Sequence, residues 1–211
     1  MSSIKLSPNA SGTGIFTVAA PNSNTDRTLT LPDSTGTILT NVAQSVPRSA
    51  LPVGSVLQVV SSTKTDTASS TSATFVDVSG LSVSITPTSS SSKFLIHLHV
   101  AFGFVNDAYP AVRLMRDSTA IAQGTGATGN QVNITLGGFA TAISSSNEYK
   151  MEFASITHLD SPATASAITY KAQFASPYNS LASYINRQSQ TANIAAVQFP
   201  VSSITVMEIA A

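Results

Sequence analysis

Short stretches that alternate apolar and small polar residues recur along the chain, and they constrain its fold more than any other feature. A period of two is typical of β-strands with one buried face. No stretch of eleven or more residues keeps a helical apolar spacing without interruption by Gly, Pro or clustered Ser and Thr. The strands predicted from this pattern are Ser55–Thr63, Thr74–Val78, Leu81–Thr86, Lys93–Phe104, Ala111–Arg116, Val132–Ile143, Tyr149–Thr157, Ala167–Phe174, Ser183–Asn186 and Ser203–Ile209.

The segments between these strands favour turns, as in VNDAYP, GTGATGN and LDSPATAS. Such spacing predicts an all-β chain whose main part is an antiparallel sandwich of roughly eight to ten strands, with the jelly roll as its specific form. Pro47 and Pro52 oppose both helix and central strand, so their surroundings are interpreted as a semi-rigid connector. We therefore predict an extended N-terminal segment over residues 1–52, which includes this connector, and a head domain over residues 53–211.

The surface of the head must be polar without being charged. Hydrophobic residues make up 42% of the chain and charged residues only 9%, whereas about a quarter charged is usual. Ten basic and ten acidic residues give a formal net charge of +0, which argues against a nucleic-acid or anionic-membrane partner. Cysteine is absent, which excludes thiolate catalysis and sulfur-ligated metals. No signal peptide or membrane span is visible, so we expect synthesis in a cytoplasm.

Both ends of the chain indicate a protein that is completed by other chains. The N-terminal residues 4–39 form two alternating segments with too little apolar area for a core of their own, so each needs a copy of itself or a neighbouring protein. Near the C-terminus, Ile204, Val206 and Glu208 alternate with other largely apolar positions. The last strand is therefore expected to be buried on both sides, inside a sheet at a subunit interface.

Several blocks of the sequence resemble virion fibre proteins of tailed bacteriophages, especially cyanophages. They are GTGIFTVAAPNSNTDRTLTLPDSTGTIL in the N-terminal segment, and GSVLQVVSST, SKFLIHLHVAFG, RLMRDSTAIAQG and SSITVMEIA in the head. The head domains of those tail fibres or capsid fibres in turn resemble the trimeric jelly rolls of the tumour-necrosis-factor and C1q type. The resemblance implies a homotrimer in the virion, made in the host cytoplasm, with other proteins of the tail, baseplate or capsid as partners.

The resemblance also implies that the N-terminal segment and the head have different functions. The N-terminal segment would attach to the particle, and the residues expected to make that contact are Ile15, Phe16, Val18, Leu29 and Leu31. The head would contact a glycan or protein of the bacterial surface. Because the N-terminal segment is short for a long tail fibre, a short fibre, a fibre tip or a capsid-bound decoration is favoured.

No residue pattern in the chain points to catalysis. The G-x-S-x-G nucleophile motif does not occur, and GTGATG at Gly124–Gly129 lacks the Lys of a phosphate-binding loop, which favours a hairpin. Five carboxylates could supply a glycosidase pair, but their spacing selects no two of them, and solvated loop positions are the simpler interpretation. They are Asp107, Asp117, Glu148, Glu152 and Asp160. We expect no enzymatic activity.

One pair of side chains has metal-binding geometry. On a strand, His97 and His99 point to the same face, and three chains would bring six imidazoles together around a threefold axis. A transition metal there is one hypothesis, and a solvated or inter-subunit pair of neutral imidazoles is the other. No other cofactor is expected.

Candidates for host contact lie in the predicted loops, because a sandwich presents its ends to partners. Aromatic and amide or carboxylate groups suited to sugar rings are provided by Asn106, Asp107, Tyr109, Tyr178 and Asn179. Tyr170 and Tyr184 are expected to pack in the sheet or across an interface instead. Arg113 and Arg116 could pair with a carboxylate of another subunit or simply lie on the surface.

Three functions remain open on this basis. The first is a structural fibre or adhesin that holds to the particle and contacts the host. A capsid or baseplate decoration protein without receptor binding is the alternative. A polysaccharide depolymerase comes last, because the chain offers no selected carboxylate pair and no repetitive β-helix.

Overall fold

The structure is a computed structural model, and it describes residues 11–13, 15, 24–26, 28, 46, 51–105, 108–138, 149–178 and 180–211. The chain divides into two compact units, Met1–Val42 and Ala43–Ala211. All strands given below belong to the second unit. The boundary at residues 52 and 53 stays a prediction.

Two antiparallel sheets make up the second unit, and the described ranges contain no α-helix. The first sheet consists of β1 (Val56–Lys64), β2 (Ala68–Ser70), β4 (Lys93–Phe104), β8 (Met151–Asp160), β10 (Ser183–Ile185) and β11 (Ser202–Ile209). The second consists of β3 (Val76–Ile85), β5 (Ala111–Arg116), β6 (Thr119–Ile121), β7 (Leu136–Gly137) and β9 (Ile168–Ala175). The all-β prediction is confirmed.

Successive long strands alternate between the two sheets, as in a jelly roll. The first sheet has the order β1–β11–β4, with β8 on the other edge of β4, and the second has the order β3–β9–β5–β6. The last strand, β11, therefore lies between β1 and β4 and pairs with both. This position confirms that the C-terminal strand lies inside a sheet.

The core lies between the sheets and follows the predicted alternation. On β4, the inward side chains of Phe94, Ile96, Leu98, Val100 and Phe102 are all fully buried. They pack against residues of the second sheet that belong to the same core, among them Leu81, Leu114 and Tyr170. Each apolar strand face is thereby removed from water, which is the main stabilising contribution of such a sandwich.

Most predicted strands match the observed ones, and two match residue for residue, β4 and β5. The predicted strands Thr74–Val78 and Leu81–Thr86 are instead one strand, β3, whose pairing register shifts between Asp77 and Ser82. Gly80 lies within that shift at a φ of 80°, so the glycine marks a bulge rather than a turn between strands.

The predicted strand Val132–Ile143 is wrong at its beginning, where only Leu136–Gly137 is strand, while residues 139–143 lie outside the described ranges. The physical reason is that side chains replace ladder bonds there. Thr135 Oγ1 accepts a hydrogen bond from the Leu114 amide at 2.9 Å, so the chain follows β5 without regular pairing. The short strands β2 and β6 were not predicted, since three residues carry too little periodicity.

Candidate functional site

The outward side of the first sheet carries an uncharged group of side chains that extends over four strands. Cross-strand register aligns its side chains in three rows, one apolar and two polar. The apolar row is Val59, Met207, Leu95 and Leu159; the polar rows are Ser61, Thr205, His97 and Thr157, and Thr63, Ser203, His99 and Ser155. We call these twelve residues the outer face of the first sheet. A scarcity of charged residues around exposed apolar side chains is typical of the central part of surfaces between protein chains.

Both histidines of the predicted pair lie on this outer face, side by side. His97 Nδ1 lies 3.1 Å from the hydroxyl oxygen of Thr157. The His99 ring stacks on Phe153, with a distance of 5.9 Å between ring centroids. Within the described part of the chain, no three His, Cys, Asp or Glu side chains form a metal-binding group. A metal here would need imidazoles from further copies of the chain, and that site stays a prediction.

The inward face of β11 carries a charged residue, Glu208. The sequence pattern places it on this face, but no role was predicted for it. Glu208 is fully buried. Its Oε1 accepts hydrogen bonds from the amide and the hydroxyl of Thr88, both at 2.6 Å, and its Oε2 accepts one from Gln58 Nε2 at 2.6 Å. Burial alone would raise the pKa of this carboxyl, but the donors, including the Ser92 hydroxyl, outweigh it and hold the pKa below 4.5.

The outward side of β11, which includes Thr205 and Met207, is half-buried in the single chain. Only the inward side is fully buried, with Ile204, Val206 and Glu208. The expected burial of both sides would therefore require contact with another chain.

Two of the predicted host-contact residues meet at an end of the second sheet. The rings of Tyr109 and Tyr178 lie edge to face, with 5.3 Å between their centroids. Both are exposed, by 41% and 50%. Asn106, Asp107 and Asn179 lie outside the described residues. The sequence named both tyrosines, but only the fold brings them into contact.

Tyr109 lines an apolar cavity of about 370 Å³, which we call the tyrosine pocket. Its other lining residues are Pro110, Ala111, Val132, Ile134, Gly137, Gly138 and Pro177. Its two glycines pack closely against the other lining residues, since a Cβ on Gly138 would lie 2.8 Å from Pro110 Cγ. An exposed aromatic edge beside an apolar hollow suits the apolar face of a sugar ring.

A second, more polar concavity of about 600 Å³ adjoins the tyrosine pocket, since Val132 lines both. We call it the Arg113 groove. Its lining consists of Ala73, Thr74, Phe75, Arg113, Ala127, Gln131, Val132, Asn133 and Gln173. Ala111 and Arg113 belong to the same strand, β5, and line one concavity each. The two hollows therefore follow one strand of the second sheet.

The two arginines of this region have different surroundings. Arg116 forms an ion pair with Asp160 of the same chain at 2.8 Å, so no second subunit is needed for that contact. Asp160 also accepts a hydrogen bond from the Tyr170 hydroxyl at 2.7 Å and is buried. The prediction of a solvated loop carboxylate is wrong for Asp160, because it ends β8 facing these two donors. Tyr170 packs in the core as expected.

The remaining predicted positions are placed as follows. Asp117 follows β5 and accepts a hydrogen bond from the Thr169 amide at 2.9 Å, Glu152 belongs to β8, and Tyr184 belongs to β10 beneath the guanidinium of Arg187. Ile15 is 92% exposed. Phe16, Val18, Leu29, Leu31, Asp107 and Glu148 lie outside the described residues.

No protein-family model and no curated protein matches this chain. The described residues include no helix that is long and apolar enough to cross a membrane.

Proposed function

We propose that this chain is a non-enzymatic structural protein of a phage virion, a short fibre or fibre tip. Its N-terminal segment attaches to the particle, and its β head associates into a trimer that contacts the host surface. The sequence blocks that resemble phage fibre proteins support the virion assignment, and the jelly-roll-like sandwich is compatible with such a head.

The observation that carries the host-contact function is the exposed pair of Tyr109 and Tyr178 beside the tyrosine pocket. Exposed aromatic rings cost free energy in water unless they bind a partner, and they lose little conformational entropy when they do. A single contact of this kind is weak. Three heads on a fibre would raise the apparent affinity by roughly a hundredfold or more where geometry permits.

The outer face of the first sheet supports association into a trimer. Its apolar row is interrupted by no charge, and Leu159 is 51% exposed in the single chain. A second and third copy are the proposed occupants, because burial of uncharged groups costs far less desolvation than burial of charges, and Ser61 and Thr205 already share a hydrogen bond at 2.9 Å. The same contact would complete the burial of β11.

Adsorption of the phage tests the host-contact function. We expect the purified protein to block adsorption of its phage to host cells, and the double substitution of Tyr109→Ala and Tyr178→Ala to abolish that block. Phe199→Ala is the matched control, since Phe199 is also exposed but does not line the tyrosine pocket. A wild-type protein that leaves adsorption unchanged would instead favour a decoration protein without receptor binding.

Light scattering tests the trimer. We expect the wild-type mass to be that of three chains and Leu159→Asp to shift it toward one chain, because a carboxylate would be desolvated in the interface. Val76→Asp is the control, since Val76 lies in the second sheet and is 52% exposed. A monomeric wild-type protein, or equal effects of both substitutions, would contradict the proposed interface.

A further inference from the structure

Arg113 has a cationic side chain without an acidic partner among the described residues. Its guanidinium carbon lies 3.9 Å from the centroid of the Phe75 ring. Its Nε donates one hydrogen bond, at 3.2 Å, to the backbone oxygen of Asn133. The two other cationic side chains on the described strands of the second sheet are paired within the chain, Arg116 with Asp160 and Lys171 with Asp77. Arg113 thus differs from its neighbours on the second sheet.

The surroundings hold this guanidinium ready to bind an anion. Stacking on Phe75 and the bond from Nε fix the plane of the group and restrict its rotamers. The two terminal nitrogens form no hydrogen bond within the described part of the protein and line an open groove. A planar guanidinium with two free donor nitrogens matches a carboxylate in a bidentate arrangement.

The negative charge beside the groove, that of Asp77, is neutralised by its own partners and does not repel a bound anion. Asp77 faces Gln173 across the strand pair, and Gln173 faces Arg113 on the next strand. The carboxylate of Asp77 accepts hydrogen bonds from Lys171 Nζ at 2.6 Å and from Gln173 Nε2 at 2.9 Å. Its negative charge is therefore compensated locally, and Arg113 remains the cation that lines the groove.

We propose that the Arg113 groove binds the carboxylate of an acidic sugar, such as a uronic acid or a sialic acid in a surface polysaccharide. This inference rests on the proposed host-contact function and names its ligand class. Amide and hydroxyl groups of Thr74, Gln131 and Gln173 line the groove and suit sugar hydroxyls. An acidic peptide would leave these neutral polar groups with fewer partners.

The adjoining tyrosine pocket extends the site. Because Val132 lines both concavities, a chain of sugars could place its carboxylate at Arg113 and the apolar face of the next ring near Tyr109. The two contacts differ in chemistry, since one is electrostatic and the other apolar. Their contributions can therefore be separated by salt and by substitution.

Calorimetric titration of the full-length protein with trigalacturonate and with N-acetylneuraminic acid tests this proposal. We expect at least one of these acidic sugars to bind, and its methyl ester, which keeps the rings but removes the negative charge, to bind about tenfold more weakly or worse. Arg113→Gln is expected to weaken binding of the acid by a similar factor. Lys93→Gln removes the same charge from an exposed position of the first sheet and should leave binding unchanged.

Arg113→Lys and Phe75→Leu keep the test decisive if Arg113→Gln fails to fold. The first retains the charge without the bidentate fork, and the second removes the ring that supports the guanidinium. Both are expected to weaken binding severalfold. Binding of neither acid at up to about 10 mM, or equal binding of acid and methyl ester, would overturn the proposal.

Failure of this inference can be told apart from failure of the proposed function. If Arg113→Gln blocks phage adsorption as well as the wild type does, the host-contact function stands and the acidic-sugar site is wrong. If the wild-type protein blocks no adsorption and binds no acidic sugar, both proposals fail.

Discussion

Replacement of Glu208 tests how this sandwich tolerates a charge in its core. The carboxylate is fully buried, and among the described residues no Lys or Arg forms an ion pair with it. It is stabilised by hydrogen bonds alone. Oε1 accepts two bonds from Thr88, and Oε2 accepts one from Gln58 Nε2, whose amide also donates to the Thr86 carbonyl at 2.7 Å.

Glu208→Gln keeps the shape of the side chain but turns one acceptor into a donor. If the new amide oxygen faces Thr88, its NH₂ group opposes Gln58 Nε2. A flip of the Gln58 amide would relieve that contact but lose the bond to Thr86. Hydrogen bonds to a charged group are worth roughly 1.5–3 kcal/mol each, so we expect a loss of about 3 kcal/mol. For a domain of this size that corresponds to a fall of roughly 6–12 °C in Tm.

The pH dependence gives an independent check. Because the pKa of Glu208 lies below 4.5 in the folded protein, its contribution to stability is fully present above pH 4.5 and is lost as the pH falls through the folded pKa. The stability difference between wild type and Glu208→Gln should therefore be largest near neutral pH and shrink below about pH 4.5.

Urea unfolding followed by circular dichroism measures these differences, since the chain has no Trp for fluorescence. Protein concentration is kept equal between variants, because association would change the apparent stability. Glu208→Ala, which removes every acceptor, should cost more than Glu208→Gln. An unchanged midpoint for Glu208→Gln at pH 7, or a difference that grows toward low pH, would refute the reasoning.

Three further predictions concern stability. Gly103→Ala should prevent soluble expression, because the new Cβ would lie 1.9 Å from the Arg187 carbonyl oxygen; Gly126→Ala, with nothing within 4 Å, is the control and should express normally. Truncation after Ser203 should also leave the protein insoluble, because it removes most of a strand that pairs on both sides, whereas deletion of the last residue alone should be tolerated. Tyr170→Phe should lower the free energy of unfolding by about 1–2 kcal/mol in urea titrations, since Asp160 loses a buried donor; an unchanged value would contradict that role.

The long strands could be predicted because their signal is local. In β4, apolar residues alternate with two histidines over the five positions 96–100, between apolar stretches on both sides, and that period identifies the buried face. The division of β3 into two predicted strands on either side of Gly80 is wrong because the same signal is local. A glycine between two alternating stretches has the same local signal at a turn and at a bulge, and only the partner strand β9 distinguishes them.

For the candidate site, the sequence predicted which residues could bind a partner, but it did not predict how these residues are arranged. Tyr109 and Tyr178 were named from their chemistry, yet their contact depends on where two distant loops meet. Arg113 and Arg116 could not be told apart in the sequence, because both follow the same strand pattern. Their partners come from other parts of the chain, Asp160 at the end of β8 for Arg116 and the Phe75 ring, just before β3, for Arg113.

By itself, the sequence determined that this chain is all-β, which faces of its long strands are apolar, and that its surface is polar with little charge. The tertiary structure alone decided that Glu208 and Asp160 are buried beside donors, and that an arginine without an acid lines a groove next to an aromatic pair. The physical reason is that periodicity and composition act between neighbours in the chain. Burial and pairing of a polar group depend on residues that only the fold brings close.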